Sequence, residues 1–257
     1  MNNRRTTITH SIRTMTAFAA ALAITGCGTN LLSKNDEIKL GRQAAQGIEQ
    51  KYGVSNNPAD NNLVQRIGQK IMAANNLEWP FTFKVLNDRS VNAVSLPGGP
   101  VYVFRGLIDA TAGNVDELAS VMAHEVAHVQ HRHAAKQYSQ AVLTDVAIQV
   151  GTGGAVQTAA QIANLFAQMS FSREDEYQAD SSGIKYAYKA GYDPNGLVEF
   201  FRRLQRMEKQ GSGNVISNNL RTHPLTSSRI ERAEKEIAKI TQTVNAERKA
   251  LEMIDDK

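Results

Sequence analysis

The sequence lacks any apolar run long enough to cross a lipid bilayer as a helix. The first apolar run, from residue 15 to residue 24, is too short for a stable span. A second apolar stretch, residues 141–170, is divided by the glycine cluster 151–154, and charged or amide residues interrupt each half. We therefore expect this stretch to form a helical hairpin that packs on the domain or overhangs a cleft.

The chain also lacks a large excess of either positive or negative residues. The chain has 29 Lys and Arg against 25 Asp and Glu. Three of the basic residues, Arg4, Arg5 and Arg13, lie in the first 26 residues, so the rest of the chain is nearly neutral. No basic patch is interleaved with aromatic residues, which argues against a nucleic-acid partner. The composition, 42% hydrophobic and 21% charged, is that of an ordinary globular protein.

The N-terminus has the pattern of a secretory signal, with arginines followed by a short apolar run. That run ends in Ile24-Thr25-Gly26-Cys27, which resembles the bacterial lipobox, and Cys27 is the only cysteine of the chain. The resemblance implies that residues 1–26 are a lipoprotein signal peptide and that Cys27 becomes the lipidated N-terminus. Several acyl chains are sufficient to anchor a protein stably to a membrane.

The signal also implies a domain organisation and a cellular location. Residues 27–34 are small or polar apart from two leucines, and we interpret them as a lipidated tether that precedes a single domain over residues 35–257. The residue after the cysteine is Gly28 and not aspartate. In bacterial lipoproteins this resembles the default for the outer membrane, so we expect a lipid-anchored protein of the cell envelope that faces the periplasm.

Helical periodicity dominates the domain, with one short interruption. Apolar residues recur at helical spacing from Asp36 to Gly53 and again over residues 58–75. Three short segments then carry the alternation or the β-branched and aromatic content of strands: 81–86, 92–96 and 101–104. The sequence predicts an α+β fold that is mostly helical, with a small sheet that is antiparallel in part.

The third strand segment is flanked by prolines. Because proline is tolerated in sheets mainly at edges, we expect residues 101–104 to form an edge strand with unpaired backbone groups. Such an edge could bind an extended peptide, which makes Val101, Tyr102 and Val103 candidate substrate-binding residues. The alternative is a covered edge that is only structural.

The run His124-Glu125-Val126-Ala127-His128 carries the strongest chemical signal. Two histidines four residues apart on a helix lie about 40° apart around its axis, so both imidazoles can reach one ion. Glu125, beside the first histidine, can hold and deprotonate a metal-bound water, as in the H-E-x-x-H signature of zinc hydrolases. The alternative is a chance match on an ordinary amphipathic helix.

Two further histidines, His131 and His133, follow this motif. The extended metzincin pattern would need glycine at position 131 and histidine at position 134, so that class is excluded. Neither histidine is then required as a ligand, and we interpret both as polar residues at the end of the helix.

The third ligand that a zinc hydrolase needs is expected in the acidic run 173–180. Taken with the H-E-x-x-H motif, Glu176-x-x-Ala179-Asp180 resembles the HtpX and CAAX prenyl protease family of zinc metallopeptidases, a gluzincin group. The resemblance implies that Glu176 is the third ligand of a zincin-type domain. Asp180, one helical turn later, could accept a hydrogen bond from a ligating imidazole. A solvated acidic helix face is the alternative for this run.

The resemblance extends over residues 35–240. Asn92 and Ala93 look like part of the family's segment before the active-site helix, which makes them candidate substrate-binding residues. Thr222-His223-Pro224, with Arg229, looks like its C-terminal His-Pro element. The chain has no obvious membrane spans and resembles the soluble lipoprotein branch of the family.

Two residues of that C-terminal element have open roles. His223 could donate a hydrogen bond to the oxyanion of the tetrahedral intermediate. It could instead occupy the fourth zinc position and hold the site closed until substrate displaces it. Arg229 could orient its loop by pairing with Asp180 or another carboxylate, or it could be an ordinary surface arginine.

The sequence as a whole predicts a zinc-dependent endopeptidase with one Zn²⁺ per chain, held by His124, His128 and Glu176. Glu125 would activate water and then pass the proton to the leaving amine. Resemblance to quality-control proteases implies unfolded or unassembled envelope proteins as substrates. The competing hypothesis is a non-catalytic envelope chaperone or assembly factor with a structural zinc ion that has four protein ligands. Nothing in the sequence indicates an oligomeric state.

Overall fold

The computed structural model describes residues 30–149 and 158–255. The expected signal peptide, Cys27 and the glycine cluster 151–154 lie outside these residues. The described part is an α+β domain, mostly helical with one small sheet, as the sequence predicts. Its elements in chain order are α1 (Lys34–Tyr52), α2 (Pro58–Asn75), β1 (Thr82–Leu86), β2 (Ala93–Ser95), β3 (Pro100–Phe104), α3 (Arg105–Thr111), α4 (Val115–Gln130), α5 (His133–Gln149), α6 (Ala159–Gln168), α7 (Arg173–Lys189), α8 (Gly196–Lys209), α9 (Gly213–Thr222) and α10 (Ser227–Asp255).

The two helices that carry the metal-binding motifs begin at polar caps. The Asn114 side chain accepts a hydrogen bond from the Glu117 backbone N–H at the start of α4. Ser172 and Asp175 form a reciprocal capping box at the start of α7. Such caps satisfy backbone donors that have no partner within the helix, and this fixes where each helix begins.

The sheet has the strand order β1-β3-β2, with β1 parallel and β2 antiparallel to β3. The prediction that residues 101–104 form an edge strand is wrong. Val101, Tyr102 and Val103 face partners on both sides and are buried. Pro100 is the first residue of its strand, a position that proline tolerates in any strand, so it does not mark a sheet edge here. Because β3 is paired on both sides, a peptide cannot add to it, and Val101, Tyr102 and Val103 lose their expected role in binding a peptide.

The central strand separates two hydrophobic cores. Val101 and Val103 point into a core formed with α2, α4, α7 and α8, whereas Tyr102 and Phe104 point into a smaller core formed with α1 and α6. This smaller core covers one face of the apolar segment α6, so that part of the 141–170 stretch packs on the domain. None of the helices in the described ranges is long and apolar enough to cross a membrane.

Helix α4 runs through the middle of the domain. Every residue from Glu117 to Val129 is buried, as expected for a helix that is covered on all sides. Helix α7 packs closely along α4, and Gly183 makes this possible, because a Cβ there would lie 2.9 Å from the Cα of His124. The sequence thus brings the two motif-bearing helices into direct backbone contact.

Candidate active site

Helices α4 and α7 bring three candidate metal ligands to one point. The Nε2 atoms of His124 and His128, one turn apart on α4, lie 3.0 Å from each other. From α7, Glu176 places its carboxylate oxygens 3.5 Å and 3.6 Å from these two nitrogens. All three side chains are buried.

His223, at the C-terminal end of α9, is the fourth member of the cluster. Its Nδ1 lies 2.9 Å from Glu176 Oε1 and 3.4 Å from His124 Nε2. Its Nε2 lies 3.4 Å from Glu125 Oε1. Burial alone would lower the pKa of His223, but the carboxylates of Glu176 and Glu125 outweigh it and raise that pKa. The imidazole therefore contacts both the candidate ligands and the candidate base.

The geometry of these four residues fits a zinc ion. One ligand atom from each of His124, His128, Glu176 and His223 lies within 4.8 Å of the others. Two atoms bound to one tetrahedral zinc ion are ~3.3 Å apart, close to the 3.0 Å and 3.4 Å nitrogen separations around His124. The pKa of His128 lies well below its usual value, mainly because the side chain is buried and also because other imidazoles are close to it. A neutral imidazole is the form that binds a metal.

An ion-pair network surrounds the cluster on the α10 side. Arg229 is buried and binds Asp180 with two nitrogens, at 2.8 Å and 2.7 Å, while its third nitrogen lies 2.7 Å from Glu176. Asp180 Oδ1 also lies 2.9 Å from Nδ1 of His124. Burial would raise the pKa of Asp180, but Arg229 and His124 outweigh it and lower that pKa. The structure therefore pairs Arg229 with two carboxylates and does not leave it at the surface.

His133 occupies a position that the sequence analysis missed. It is buried at the start of α5, and its Nδ1 lies 3.0 Å from Nδ1 of His128. Phe171 packs on the His128 ring, with centroids 4.0 Å apart. His131, by contrast, is half-buried and its Nε2 hydrogen-bonds with Ser182, and its side chain forms no hydrogen bond or ring contact with His128. The prediction of a polar helix-end residue is thus wrong for His133. The sequence offered one indication of its position near the site, a histidine five residues after the candidate ligand His128.

A narrow cleft leads to Glu125 and His223. Asn92, which directly precedes β2, and all three residues of β2, an edge strand of the sheet, line it, whereas Val101, Tyr102 and Val103 do not. The apolar side chains of Phe166, Met169 and Phe171 close its other side. The remaining cavity is about 10 Å³, room for about one water molecule.

The sequence matches the model of peptidase family M48 over residues 58–237, a range that contains every member of the cluster. The chain is similar to the beta-barrel assembly-enhancing proteases of Escherichia coli strain K12 (28% identical over 213 residues, 77% of this chain and 43% of the relative) and of Yersinia pestis (30% over 218 residues, 79% and 44%). It is 30% identical over 218 residues to the mitochondrial metalloendopeptidase OMA1 of Schizosaccharomyces pombe, covering 80% of this chain and 62% of the relative. The chain spans less than half the length of these two bacterial relatives. The chain belongs to peptidase family M48.

Proposed function

We propose that the protein is a zinc-dependent endopeptidase of the bacterial cell envelope. The observation that carries this proposal is the convergence of His124, His128 and Glu176 on one point, with the Glu125 carboxylate beside it. A zinc ion bound there would supply a Lewis acid that lowers the pKa of a bound water and polarises the scissile carbonyl. The family match supports the same metal and reaction class.

Glu125 is the proposed general base and acid. Its Oε2 is buried without a hydrogen-bond partner among the described residues, so one oxygen is available to a water in the cleft. The carboxylate takes the proton of the attacking water and then delivers it to the nitrogen of the leaving amine, which otherwise departs as a poor leaving group.

The substrate strand is proposed to bind along β2. This short strand pairs with β3 on one side only and lines the cleft next to Glu125. An extended peptide can add to such an edge by backbone hydrogen bonds, which do not depend on side-chain identity. Asn92, directly before β2, and Ala93, its first residue, remain the candidate contact residues.

His223 is proposed to hold the site closed in the arrangement described here. The contacts of its ring with Glu176 and Glu125 occupy the space between base and ligands, and the cavity of about 10 Å³ leaves no room for a peptide. We expect substrate entry to displace the His223 ring, one of the side chains that line this cavity. A hydrogen bond from His223 to the oxyanion is the alternative role, and it would require the ring to return once substrate is bound.

The proposed location and substrates rest on the N-terminal pattern and on the relatives. The lipobox-like segment supports lipidation at Cys27 and anchoring to the outer membrane, facing the periplasm. The bacterial relatives are named for assembly of β-barrel proteins, which supports unfolded or unassembled envelope proteins as substrates. The finer resemblance to the HtpX and CAAX prenyl protease group, in its soluble lipoprotein branch, remains a prediction.

One observation favours the second candidate function, a non-catalytic envelope chaperone or assembly factor. Four residues and not three have ligand atoms within 4.8 Å of one another, and a closed set of four protein ligands is typical of structural zinc. In that case, His223 would be a permanent ligand.

The Glu125→Gln variant separates the two functions. We expect the variant to bind one zinc per chain and to lose at least ~100-fold of its casein-hydrolysing activity, because the base is gone while the shape is kept. Glu174→Gln, at an exposed position of α7, is the matched control. In the wild type, a chelator should abolish hydrolysis and added zinc should restore it.

Full hydrolysis by zinc-loaded Glu125→Gln would refute the mechanism. If the wild type binds zinc without hydrolysing casein and Glu125→Gln restores envelope integrity in a deletion strain, the chaperone function is favoured.

A further inference from the structure

The two histidine ligands of the proposed zinc site are held by different partners. Each directs Nε2 toward the cluster and Nδ1 away from it. Nδ1 of His124 faces a carboxylate oxygen of Asp180 at 2.9 Å. Nδ1 of His128 faces no carboxylate; it lies 3.0 Å from Nδ1 of His133. Metal-ligating histidines commonly donate this second N–H to a group that fixes the ring, and a second imidazole is an unusual choice for that partner.

The contacts of His133 decide which nitrogen carries each proton. Its Nε2 lies 2.9 Å from Gln178 Oε1 and 3.5 Å from Asp175 Oδ1. Asp175 offers only an acceptor, so the proton of a neutral His133 belongs on Nε2. Its Nδ1 is then a lone pair that accepts the Nδ1–H of His128. Nε2 of His128 is left free of a proton, as a metal ligand must be.

We propose that His133 is a positioning residue for the zinc site, fixing the tautomer and the ring orientation of His128 through a hydrogen-bond chain that ends at Gln178. The proposal rests on the proposed zinc-dependent function. His133 is neither one of the four residues that form the cluster of ligand atoms nor one of the residues that line the cleft, and it acts through His128.

The backbone that places His133 is held from outside the site. Helix α4 ends at Gln130, and Arg132 takes a left-handed conformation, with φ of 60°, before α5 begins at His133. That conformation is unfavourable for a residue with a Cβ. The Arg132 side chain is bound by the buried carboxylate of Glu37 and, at 2.6 Å, by the carbonyl of Leu32. The start of α1 thereby stabilises the turn that sets His133 against His128.

Phe171 restricts the same two rings from another side. Its ring centroid lies 4.0 Å from that of His128 and 6.2 Å from that of His133. With the turn on one side and this aromatic ring on another, His133 has little freedom to rotate away. The hydrogen bond to His128 is therefore preorganised in the protein before any metal binds.

The test compares three single variants of the full chain. His133→Ala removes the acceptor. His133→Asn keeps one, because its Oδ1 can take the position of the imidazole Nδ1. His131→Ala is the matched control, since His131 lies two residues away, stacks on His133 and bonds to Ser182, but its side chain forms no hydrogen bond or ring contact with His128. The measurements are the zinc dissociation constant, by competition with a chromophoric chelator, and the thermal unfolding of the zinc-free protein.

We expect His133→Ala to weaken zinc binding by about 10–100-fold, the usual effect of losing such a partner. His133→Asn should recover most of that loss, and His131→Ala should bind zinc like the wild type. A purely space-filling His133 would give an equal loss in the Ala and Asn variants or no loss in either, and both results would overturn the proposal. If zinc-free His133→Ala is unfolded, the His133→Asn variant decides. A zinc affinity of His133→Asn near that of the wild type supports the proposal, and a loss of zinc affinity as large as that of His133→Ala refutes it. A wild-type chain that binds no zinc would overturn the proposed function as well, whereas normal zinc binding by His133→Ala would overturn this inference alone.

Discussion

His223 Nδ1 lies 2.9 Å from Oε1 of Glu176, so a residue at the end of α9 binds directly to a candidate metal ligand on α7. The contact joins segments 47 residues apart in the chain. Because the other nitrogen of the same ring faces Glu125, the imidazole covers the ligand and the base together. The ring of His223 therefore stands next to the candidate ligand and the candidate base at the same time.

Replacing His223 by alanine distinguishes its two possible roles. We expect kcat/KM for casein to rise, because the variant opens the cleft and leaves Glu125 and the three ligands in place. A residue that stabilises the oxyanion would give the opposite result, a fall of about 10²–10³-fold in kcat. Initial rates at matched zinc occupancy measure the difference. Ser217→Ala, at an exposed position of α9, should leave the rate unchanged.

The Asp180–Arg229 ion pair predicts a pH dependence of stability. The pKa of Asp180 is lowered in the folded protein, so the folded state binds the proton less readily than the unfolded chain does. The stabilisation is therefore fully present above the unfolded pKa of about 3.9 and is lost as pH falls through the folded value.

The corresponding experiment compares the wild type with Asp180→Asn, both free of zinc, by chemical denaturation between pH 7 and pH 3. Breaking this buried pair should cost about 3–5 kcal/mol at pH 7, and the difference should shrink as the pH falls below about 4. A difference that stays constant down to pH 3 would contradict the assignment. Asp109→Asn, on an exposed residue, should change the free energy of unfolding by no more than ~0.5 kcal/mol.

Gly183 is expected to control the spacing of α4 and α7. In most helix interiors Gly→Ala is stabilising, by roughly 0.5–1 kcal/mol. Here the new Cβ would lie 2.9 Å from both N and Cα of His124, so the helices must separate. We expect Gly183→Ala to destabilise the protein by about 1–3 kcal/mol and to weaken zinc binding, because Glu176 and Asp180 move with α7.

Thermal unfolding and zinc competition measure these two effects. Lys189→Ala, an exposed position on the same helix, serves as the control and should affect neither. A stabilised Gly183→Ala protein with normal zinc affinity would show that the two helices do not need this close approach.

The parts of the site that lie on single helices can be predicted from local sequence alone. The spacing of His124 and His128, and of Glu176 and Asp180, gives each pair one face of a helix by helical geometry alone. The family inferred from these two motifs is confirmed at the level of peptidase family M48. The mostly helical α+β fold followed from periodicity, which is also a local property.

The relative positions of these motifs depend on contacts between segments that are distant in the sequence. The order of the three strands depends on pairing between distant segments, so the flanking prolines misassigned β3 to an edge when β2 holds that position at the cleft. The burial of His133 depends on a left-handed turn that Glu37 stabilises from α1, and the site contacts of Arg229 and His223 depend on the docking of α9 and α10. Residue type and local spacing do not predict these contacts. Each contact joins residues on different elements, and the number of residues between them does not determine the distance between them in space.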